Sequence, residues 1–221
     1  MYTENMRPAD IERRSMEIIE SELGDTSHLT AEEKSVVKRV IHTTADFDYL
    51  DNLKFSPGAV RTGIEALRNG AVIVTDTNMA QSGISKPAAN TLGCEIRCFM
   101  SDSAAAERAR LNDTTRAAAS MDLAAELFAD RQVIFAVGNA PTALIRLHEL
   151  ICAGRISPVL IIGAPVGFVN VIRSKQLIMQ DGIPYIVADG RKGGSNVAAA
   201  ICNAMLYLIY DRASGKIIGE R

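Results

Sequence analysis

Five short apolar runs, separated by stretches of helical character, constrain the fold of this chain most. They are five or six residues long and rich in Val and Ile, as buried strands are. The runs span residues 71–75, 95–100, 132–137, 158–162 and 183–188. Because a strand that is apolar along its whole length must be covered on both faces, they predict a mostly parallel five-stranded sheet between two layers of helices.

Helices are predicted between these runs and ahead of them. Those that alternate with the strands span residues 104–110, 115–129, 141–153, 168–180 and 195–210. An N-terminal helical segment comprises residues 11–23, a helix that opens with a capping box at Thr30 and ends at His42, and residues 59–68. We expect residues 1–221 to form a single three-layer α/β/α domain, with a tail that frays after Tyr210.

Composition excludes several classes of protein. An apolar fraction of 48% indicates a packed globule, and a net charge of −2 without Trp gives no footprint for nucleic acid. We expect no membrane span and no signal peptide, because no apolar run is long enough and the N-terminus is polar. Four cysteines without a C-x-x-C pair predict reduced, mostly buried thiols and a cytoplasmic location. They are Cys94, Cys98, Cys152 and Cys202.

No metal site is expected, because neither histidine nor cysteine recurs at ligand spacing. His148 lies in a predicted helix without a second histidine, so we expect a surface or half-buried residue. His28 precedes the capping box in a polar loop and is expected to be solvated.

The loops after the last three predicted strands are the predicted ligand site. They span residues 138–142, 163–170 and 189–196, and each feeds the start of a helix. In an open parallel sheet the ligand lies beyond the carboxyl ends of the strands, where glycines admit its close approach and free N–H groups favour anions. Glycine and proline are also common at turns between strands and helices, so one such loop alone is weak evidence for a ligand site. Three together indicate a ligand with several separated anionic groups.

His42 is the candidate acid. It lies at the predicted end of a helix, where the negative end of the helix dipole favours the protonated imidazole. This placement suits a general acid near neutral pH, although a histidine there can also merely cap the helix. Asp46, Asp48 and Asp76 could orient it, and the sequence does not choose among them.

Three loop motifs carry a resemblance to a known family. They read Gly-Asn-Ala-Pro-Thr-Ala-Leu at 138–144, Gly-Ala-Pro-Val-Gly-Phe-Val at 163–169 and Gly-Arg-Lys-Gly-Gly-Ser at 190–195. Together they closely resemble the motifs of the precorrin-8X methylmutase family, also called cobalt-precorrin-8 methylmutase. The His42 segment and residues 12–16 and 112–116 also resemble family motifs. The resemblance runs in order from about residue 11 to residue 208.

The resemblance implies a three-layer α/β/α homodimer of cobalamin biosynthesis. The family moves a methyl group from C-11 to C-12 of precorrin-8 or cobalt-precorrin-8, and needs no cofactor because the methyl is already on the substrate. The resemblance assigns the acid to His42. It assigns corrinoid contacts to Ser15, Arg39, Arg116, Asn139, Thr142, Gly167, Gly193, Gly194 and Ser195.

Two other classes of protein were weighed against this one. A nucleotide-dependent transferase on the same kind of sheet requires phosphate-binding and metal-binding motifs, which the chain lacks. A non-catalytic corrinoid-binding or carrier protein keeps the pocket without the chemistry, and the presence of His42 argues against it. A flat ring with a rim of carboxylates suits several anion-binding loops and one proton donor. Whether the ring holds cobalt stays open at this stage.

Overall fold

The computed structural model describes residues 8–219 and contains a six-stranded sheet. Its strands are β1 Leu53–Phe55, β2 Val72–Thr75, β3 Glu95–Cys98, β4 Val133–Val137, β5 Leu160–Gly163 and β6 Tyr185–Ala188. They pair in the order β1-β6-β5-β4-β2-β3, and every pair except β1 with β6 is parallel. The mostly parallel sheet and its five predicted strands are confirmed.

Helices cover both faces of this sheet. They are α1 Pro8–Glu22, α2 Ala31–Thr44, α3 Tyr49–Asn52, α4 Ala59–Arg68, α5 Asn78–Gly83, α6 Lys86–Thr91, α7 Ser103–Leu111, α8 Arg116–Leu127, α9 Pro141–Cys152, α10 Val171–Gln180 and α11 Ser195–Tyr207. Ile134 and Ala136 of β4 pack into a core with α2, α4 and α11, whereas Phe135 and Val137 pack on the other side with α8 and α9. This alternation gives the three predicted layers. No helix within residues 8–219 has the length and apolarity to cross a membrane.

The sixth strand, β1, was not predicted. It is three residues long and pairs antiparallel with β6, Leu53 opposite Ala188. Only Leu53 is buried, while Lys54 is exposed. Strands this short show no periodicity in sequence, so the prediction of five strands was one too few.

The tail also differs from the prediction. The last helix ends at Tyr207, and an antiparallel hairpin follows, formed by β7 Tyr210–Asp211 and β8 Lys216–Ile217. The Asp211 carboxylate accepts hydrogen bonds from Ala213 N at 2.9 Å and Ser214 Oγ at 2.6 Å, which fixes the turn. The predicted fraying after Tyr210 is wrong as far as residue 219.

The loop before α10 is longer than predicted. The helix expected from residue 168 begins at Val171, because Asn170 adopts a left-handed conformation with φ of 59° just before it. Phe168 and Val169 therefore lie in the loop after β5 and not on a helix.

The order of the strands reverses between β2 and β4. The chain leaves β2 for β3 on one side, and β4 lies on the other side of β2. In doubly wound sheets the ligand crevice lies at such a reversal, beyond the carboxyl ends of the strands. Here residues 76–78 follow β2 and residues 138–140 follow β4, so these two segments meet at that point.

Candidate active site at the carboxyl ends of the strands

The Asp76 carboxylate lies between the carboxyl ends of β2 and β4, where the order of the strands reverses. It accepts hydrogen bonds from three consecutive backbone N–H groups: Gly138 and Asn139 at 2.8 Å each, and Ala140 at 2.7 Å. Burial raises the pKa of the Asp76 carboxyl, and these three donors oppose that rise. Because these three N–H groups are committed to Asp76, they are not available to an anionic ligand. Asp76 positions a loop and not a histidine.

Two glycines of the predicted motifs serve contacts between loops. A Cβ on Gly138 would lie 2.6 Å from Ser195 Cα, and one on Gly193 would lie 2.2 Å from the Ala164 carbonyl oxygen. The same Ala164 oxygen accepts a hydrogen bond of 2.8 Å from Gly194 N. The loops after β4, β5 and β6 therefore pack on one another directly, and side chains at Gly138 or Gly193 would push them apart.

A buried lysine holds the loop after β6 from beneath. Lys175 of α10 is fully buried and donates hydrogen bonds to the carbonyl oxygens of Gly190 at 2.8 Å and Lys192 at 2.9 Å. Burial lowers the pKa of Lys175 to about 8, and the nearby charge of Asp189 opposes the shift. The conformation of this loop is thus held by hydrogen bonds from a lysine, a residue type that is ordinarily exposed to solvent.

An ion pair joins the same loop to the His42 segment. Lys192 Nζ lies 2.6 Å from Asp46 Oδ2 and 2.6 Å from Asp48 Oδ2. The hydrogen bond from Lys192 lowers the pKa of the Asp46 carboxyl. The two acids that could orient His42 therefore bind Lys192, and they bring the end of α2 to the loop edge.

His42 itself is exposed in the last turn of α2. The helix continues past it to Thr44, and Ala45 provides the cap, with φ of 53° and its N–H donating to Ile41 O at 2.7 Å. Among the described residues, the imidazole has no hydrogen-bond partner. The backbone thus ends this helix without help from His42, and the side chain is accessible to a ligand.

Pairs of hydroxyl groups join the starts of the helices at this edge. Thr77, the N-cap of α5, hydrogen-bonds with Ser195 at 2.8 Å, and Thr115, the N-cap of α8, with Thr142 at 2.8 Å. A hydroxyl group can donate one bond and accept two, so Ser195 and Thr142 retain capacity for a ligand. Thr77 is not among the residues predicted from the sequence, although its position just after β2 places it at the same edge of the sheet.

Two arginines lie at the edge. Arg116 is the first residue of α8, next to the Thr115–Thr142 pair, and its guanidinium has no ion pair within residues 8–219. Arg191 lies with its guanidinium 5.5 Å from the centroid of the Phe168 ring, and its carbonyl oxygen accepts a 3.2 Å bond from Gly167 N. Arg191 lies within the motif at residues 190–195, but it is not among the residues predicted from the sequence to bind substrate.

Exposed apolar side chains accompany these cations. Phe168 is 83% exposed and Val169 is 78% exposed. Large apolar side chains that are clustered and open to solvent mark binding surfaces. The edge thus offers an apolar face with guanidinium groups nearby, which suits a flat apolar ligand that carries anions.

Two residues predicted to bind substrate make contacts outside the three loops. Arg39 is paired with Glu12 at 2.7 Å, and its guanidinium lies 5.2 Å from the centroid of the Tyr207 ring. Tyr207 is at the far end of α11 from Ser195, about 18 Å along the helix. The Ser15 hydroxyl donates to Ile11 O at 2.9 Å. Within residues 8–219, neither Ser15 nor Arg39 has a hydrogen bond or ion pair with the loops after β4, β5 and β6.

Fold and loop edge together define a doubly wound α/β protein with a candidate binding surface at the strand ends. The family model CbiC, precorrin-8X methylmutase, matches residues 10–208. The chain therefore belongs to the precorrin-8X methylmutase family, and it is a methyl-migrating isomerase of cobalamin biosynthesis.

Individual relatives agree with this assignment. The cobalt-precorrin-8 methylmutase of Leptospira interrogans is 42% identical, over 90% of this chain and 93% of its own. That of Salmonella typhimurium is 43% identical, over 91% and 95%. The crystal structure of precorrin-8X methylmutase from Thermus thermophilus superimposes with a TM-score of 0.82 at 38% identity, over 90% of this chain and 96% of that one. The predicted family, fold class and enzyme class are confirmed.

Replacing Asp76 with Asn should loosen the loop after β4. The amide keeps the shape but offers one acceptor oxygen and places an NH2 group against backbone donors. We expect the free energy of unfolding to fall by about 1–3 kcal/mol, and the amides of residues 138–140 to exchange hydrogen faster. Asp130→Asn, at an exposed position, is the control and should stay within about 0.5 kcal/mol. Unchanged stability and exchange in Asp76→Asn would contradict this role.

Lys175 should make stability rise with pH on the alkaline side. Its pKa is about 8 in the fold and about 10.4 in an unfolded chain. Between these values the unfolded chain binds more protons, so the contribution of Lys175 to the free energy of unfolding increases as pH rises. Denaturant unfolding of wild type and Lys175→Met from pH 7.5 to 10 would measure it. As the pH rises, the free energy of unfolding of the wild type should increase relative to that of Lys175→Met. The same pH dependence of this free energy in both proteins would contradict the assignment.

Proposed function

We propose that this chain moves the methyl group of precorrin-8, or of cobalt-precorrin-8, from C-11 to C-12 of the macrocycle, giving hydrogenobyrinate or cobyrinate. The observation that carries the proposal is the family match over residues 10–208, with curated relatives named for cobalt-precorrin-8. No cofactor is proposed, because the group that migrates is already bound to the substrate.

In this proposal His42 is the general acid. It gives its proton to a ring nitrogen, and the positive charge on the ring favours the electronic reorganisation that carries the methyl group to the neighbouring carbon. Two observations support the role: the imidazole is exposed and has no partner within the described part of the chain, and Lys192 ties the adjoining residues Asp46 and Asp48 to the loop edge. A proton donor held in place can act without further reorganisation.

The loop edge is proposed to hold the ring and its carboxylates. Phe168 and Val169 offer apolar surface to the ring, and Arg116 and Arg191 offer guanidinium groups to the rim. The exposed Asn139 side chain and the hydroxyl groups of Thr142 and Ser195 supply neutral hydrogen bonds. Of the glycines proposed for binding, Gly167, Gly193 and Gly194 contribute through the backbone that they shape.

We further propose a homodimer in the cytoplasm, with the corrinoid cleft near or across the interface. Within residues 8–219, Ser15 and Arg39 make no hydrogen bond or ion pair with the loops of their own chain, which is compatible with contacts to substrate held by a second copy. The exposed Phe168 and Val169 supply apolar surface for such an interface. The four cysteines are free thiols, which fits a reducing compartment.

One assay separates the isomerase from a corrinoid carrier. Purified protein is mixed with precorrin-8 and, separately, with its cobalt form, and the visible spectrum is followed. An isomerase converts the spectrum to that of the product, whereas a carrier shifts it in proportion to the protein added and then stops. Comparison of the two substrates also decides which form is natural.

His42→Ala should be nearly inactive. Loss of a general acid costs about 10²–10⁴ in rate, or roughly 2.7–5.4 kcal/mol of barrier. The fold should survive because the side chain is exposed. His42→Asn should still bind product, and wild-type activity should fall as the pH rises, because a general acid must be protonated to act. Single-turnover assays with circular dichroism as folding control test this, with the exposed His28→Gln as the matched variant. Near-normal turnover in folded His42→Ala would remove the role.

Arg116→Ala should weaken corrinoid binding. Loss of a charged hydrogen bond to a rim carboxylate should reduce affinity by about 1.5–3 kcal/mol. Titration of the coloured product gives the affinity, and raised salt should weaken wild-type binding modestly. Arg110→Ala, another exposed arginine on the preceding helix, is the control. Equal affinities for wild type and Arg116→Ala would show that Arg116 faces solvent.

Sedimentation should show a dimer at micromolar concentration. Replacing Phe168 with Asp puts a charge on the proposed apolar surface and should shift the population toward monomer, because a desolvated charge opposes association. Leu111→Asp, at a residue 66% exposed elsewhere, should not. An active wild-type monomer at this concentration would remove the dimer from the proposal.

A further inference from the structure

We propose that His148, Cys152 and Asp181 form a binding site for one divalent cation of the zinc class, separate from the His42 site. The nitrogen, sulfur and carboxylate ligand atoms that the three residues offer all lie within 4.8 Å of one another. Zinc binds these three kinds of ligand together in proteins, with bonds of about 2.0–2.3 Å. The proposal goes against the expectation that the chain has no metal site.

Spacing along α9 brings two of the ligands together. His148 and Cys152 are four residues apart, so their side chains lie on the same face one turn from each other. Because this pair combines one histidine with one cysteine, neither residue type recurs at ligand spacing and the pair is not apparent in the sequence. The third ligand, Asp181, is the C-cap of α10, which packs against α9.

The distances fit a metal-binding geometry with small adjustments. Cys152 Sγ lies 3.7 Å from His148 Nδ1 and 3.8 Å from Nε2. Tetrahedral bonds of zinc length hold ligand atoms roughly 3.5 Å apart, so this pair is already at the required spacing. His148 Nδ1 and Asp181 Oδ1 are at 2.6 Å, a hydrogen bond, and must separate by about 1 Å if both bind the ion.

The carboxylate of Asp181 points independently to a missing partner. Its side chain is only 3% exposed, and its Oδ2 atom is buried without a hydrogen bond within the described residues. An unsatisfied buried oxygen of a charged group is costly, and native proteins rarely leave one. A cation bound between Asp181 and Cys152 would satisfy this oxygen.

Cys152 differs from the buried thiols of the chain. Burial raises the pKa of Cys94 to about 11 and that of Cys202 to about 12, which keeps both protonated. Cys152 is exposed, whereas Cys94 and Cys202 are buried and Cys98 is intermediate, so Cys152 is open to an ion from solvent. If His148 and Asp181 formed only an ion pair, a thiol at residue 152 would add nothing to it.

The site lies far from the loop edge. α9 starts at Pro141, beside the loop after β4, and Cys152 is about 17 Å further along the helix. A bound ion would therefore clamp the C-terminal ends of α9 and α10 together. We infer a structural role for it, which stabilises this layer of helices without entering the methyl migration.

Cobalt(II) is a suitable probe, because a thiolate ligand gives it a charge-transfer absorption in the near ultraviolet. Untagged protein, stripped with a chelator, is titrated with Co²⁺ and then with Zn²⁺. We expect one equivalent of Co²⁺ with the sulfur band, displacement by Zn²⁺, and a higher melting temperature with Zn²⁺.

Variants give the test its controls. Cys152→Ser should lose the sulfur band, and His148→Gln and Asp181→Asn should each weaken binding at least tenfold, whereas Cys98→Ser and His28→Gln should bind as the wild type does. Circular dichroism checks that each variant is folded. Cys152→Ser is the variant least expected to unfold the protein, because Cys152 is exposed. Absence of the sulfur band in wild type, or its persistence in Cys152→Ser, would overturn the proposal.

Discussion

Everything at the candidate site rests on one buried carboxylate that binds three successive backbone N–H groups. Asp76 follows β2, and its partners follow β4, so the bonds join the two strands where the order of the sheet reverses. Asp76 has no side-chain counterion within residues 8–219, and its charge is tolerated because the three amides replace its hydration. Because the loop after β4 is fixed, Gly138 can pack directly against Ser195. This contact positions the start of α11.

Two lysines extend this order to the His42 segment. Lys175 holds the loop after β6 by its carbonyl oxygens, and Lys192 reaches from that loop to Asp46 and Asp48. The proposed reaction, which uses a proton donor and a positioned ring but no nucleophile or carrier, would depend on such preorganisation. The rigid parts are thus the loops, while the groups proposed to contact the ligand are exposed side chains: His42, Arg116 and Phe168.

Much of the fold was predictable because buried parallel strands are apolar throughout, and the loops were found because their place follows from the sheet. β1 and the hairpin after Tyr210 were missed since two or three residues show no period. At the site, sequence position located Thr142, Ser195 and Arg116, but it could not show that Asp76 occupies the N–H groups of residues 138–140. Nor could it show Arg39 paired with Glu12, since such contacts depend on helix packing between distant segments.

The antiparallel strand β1 limits how the molecule can associate. It covers the side of β6 that would otherwise present unpaired backbone groups, and it is itself only three residues long, with the charged Lys54 exposed. Short, charged edges resist the addition of a strand from another molecule. Growth of the sheet across two subunits is therefore disfavoured on this side, and a partner chain must be recognised there through side chains on helices and loops.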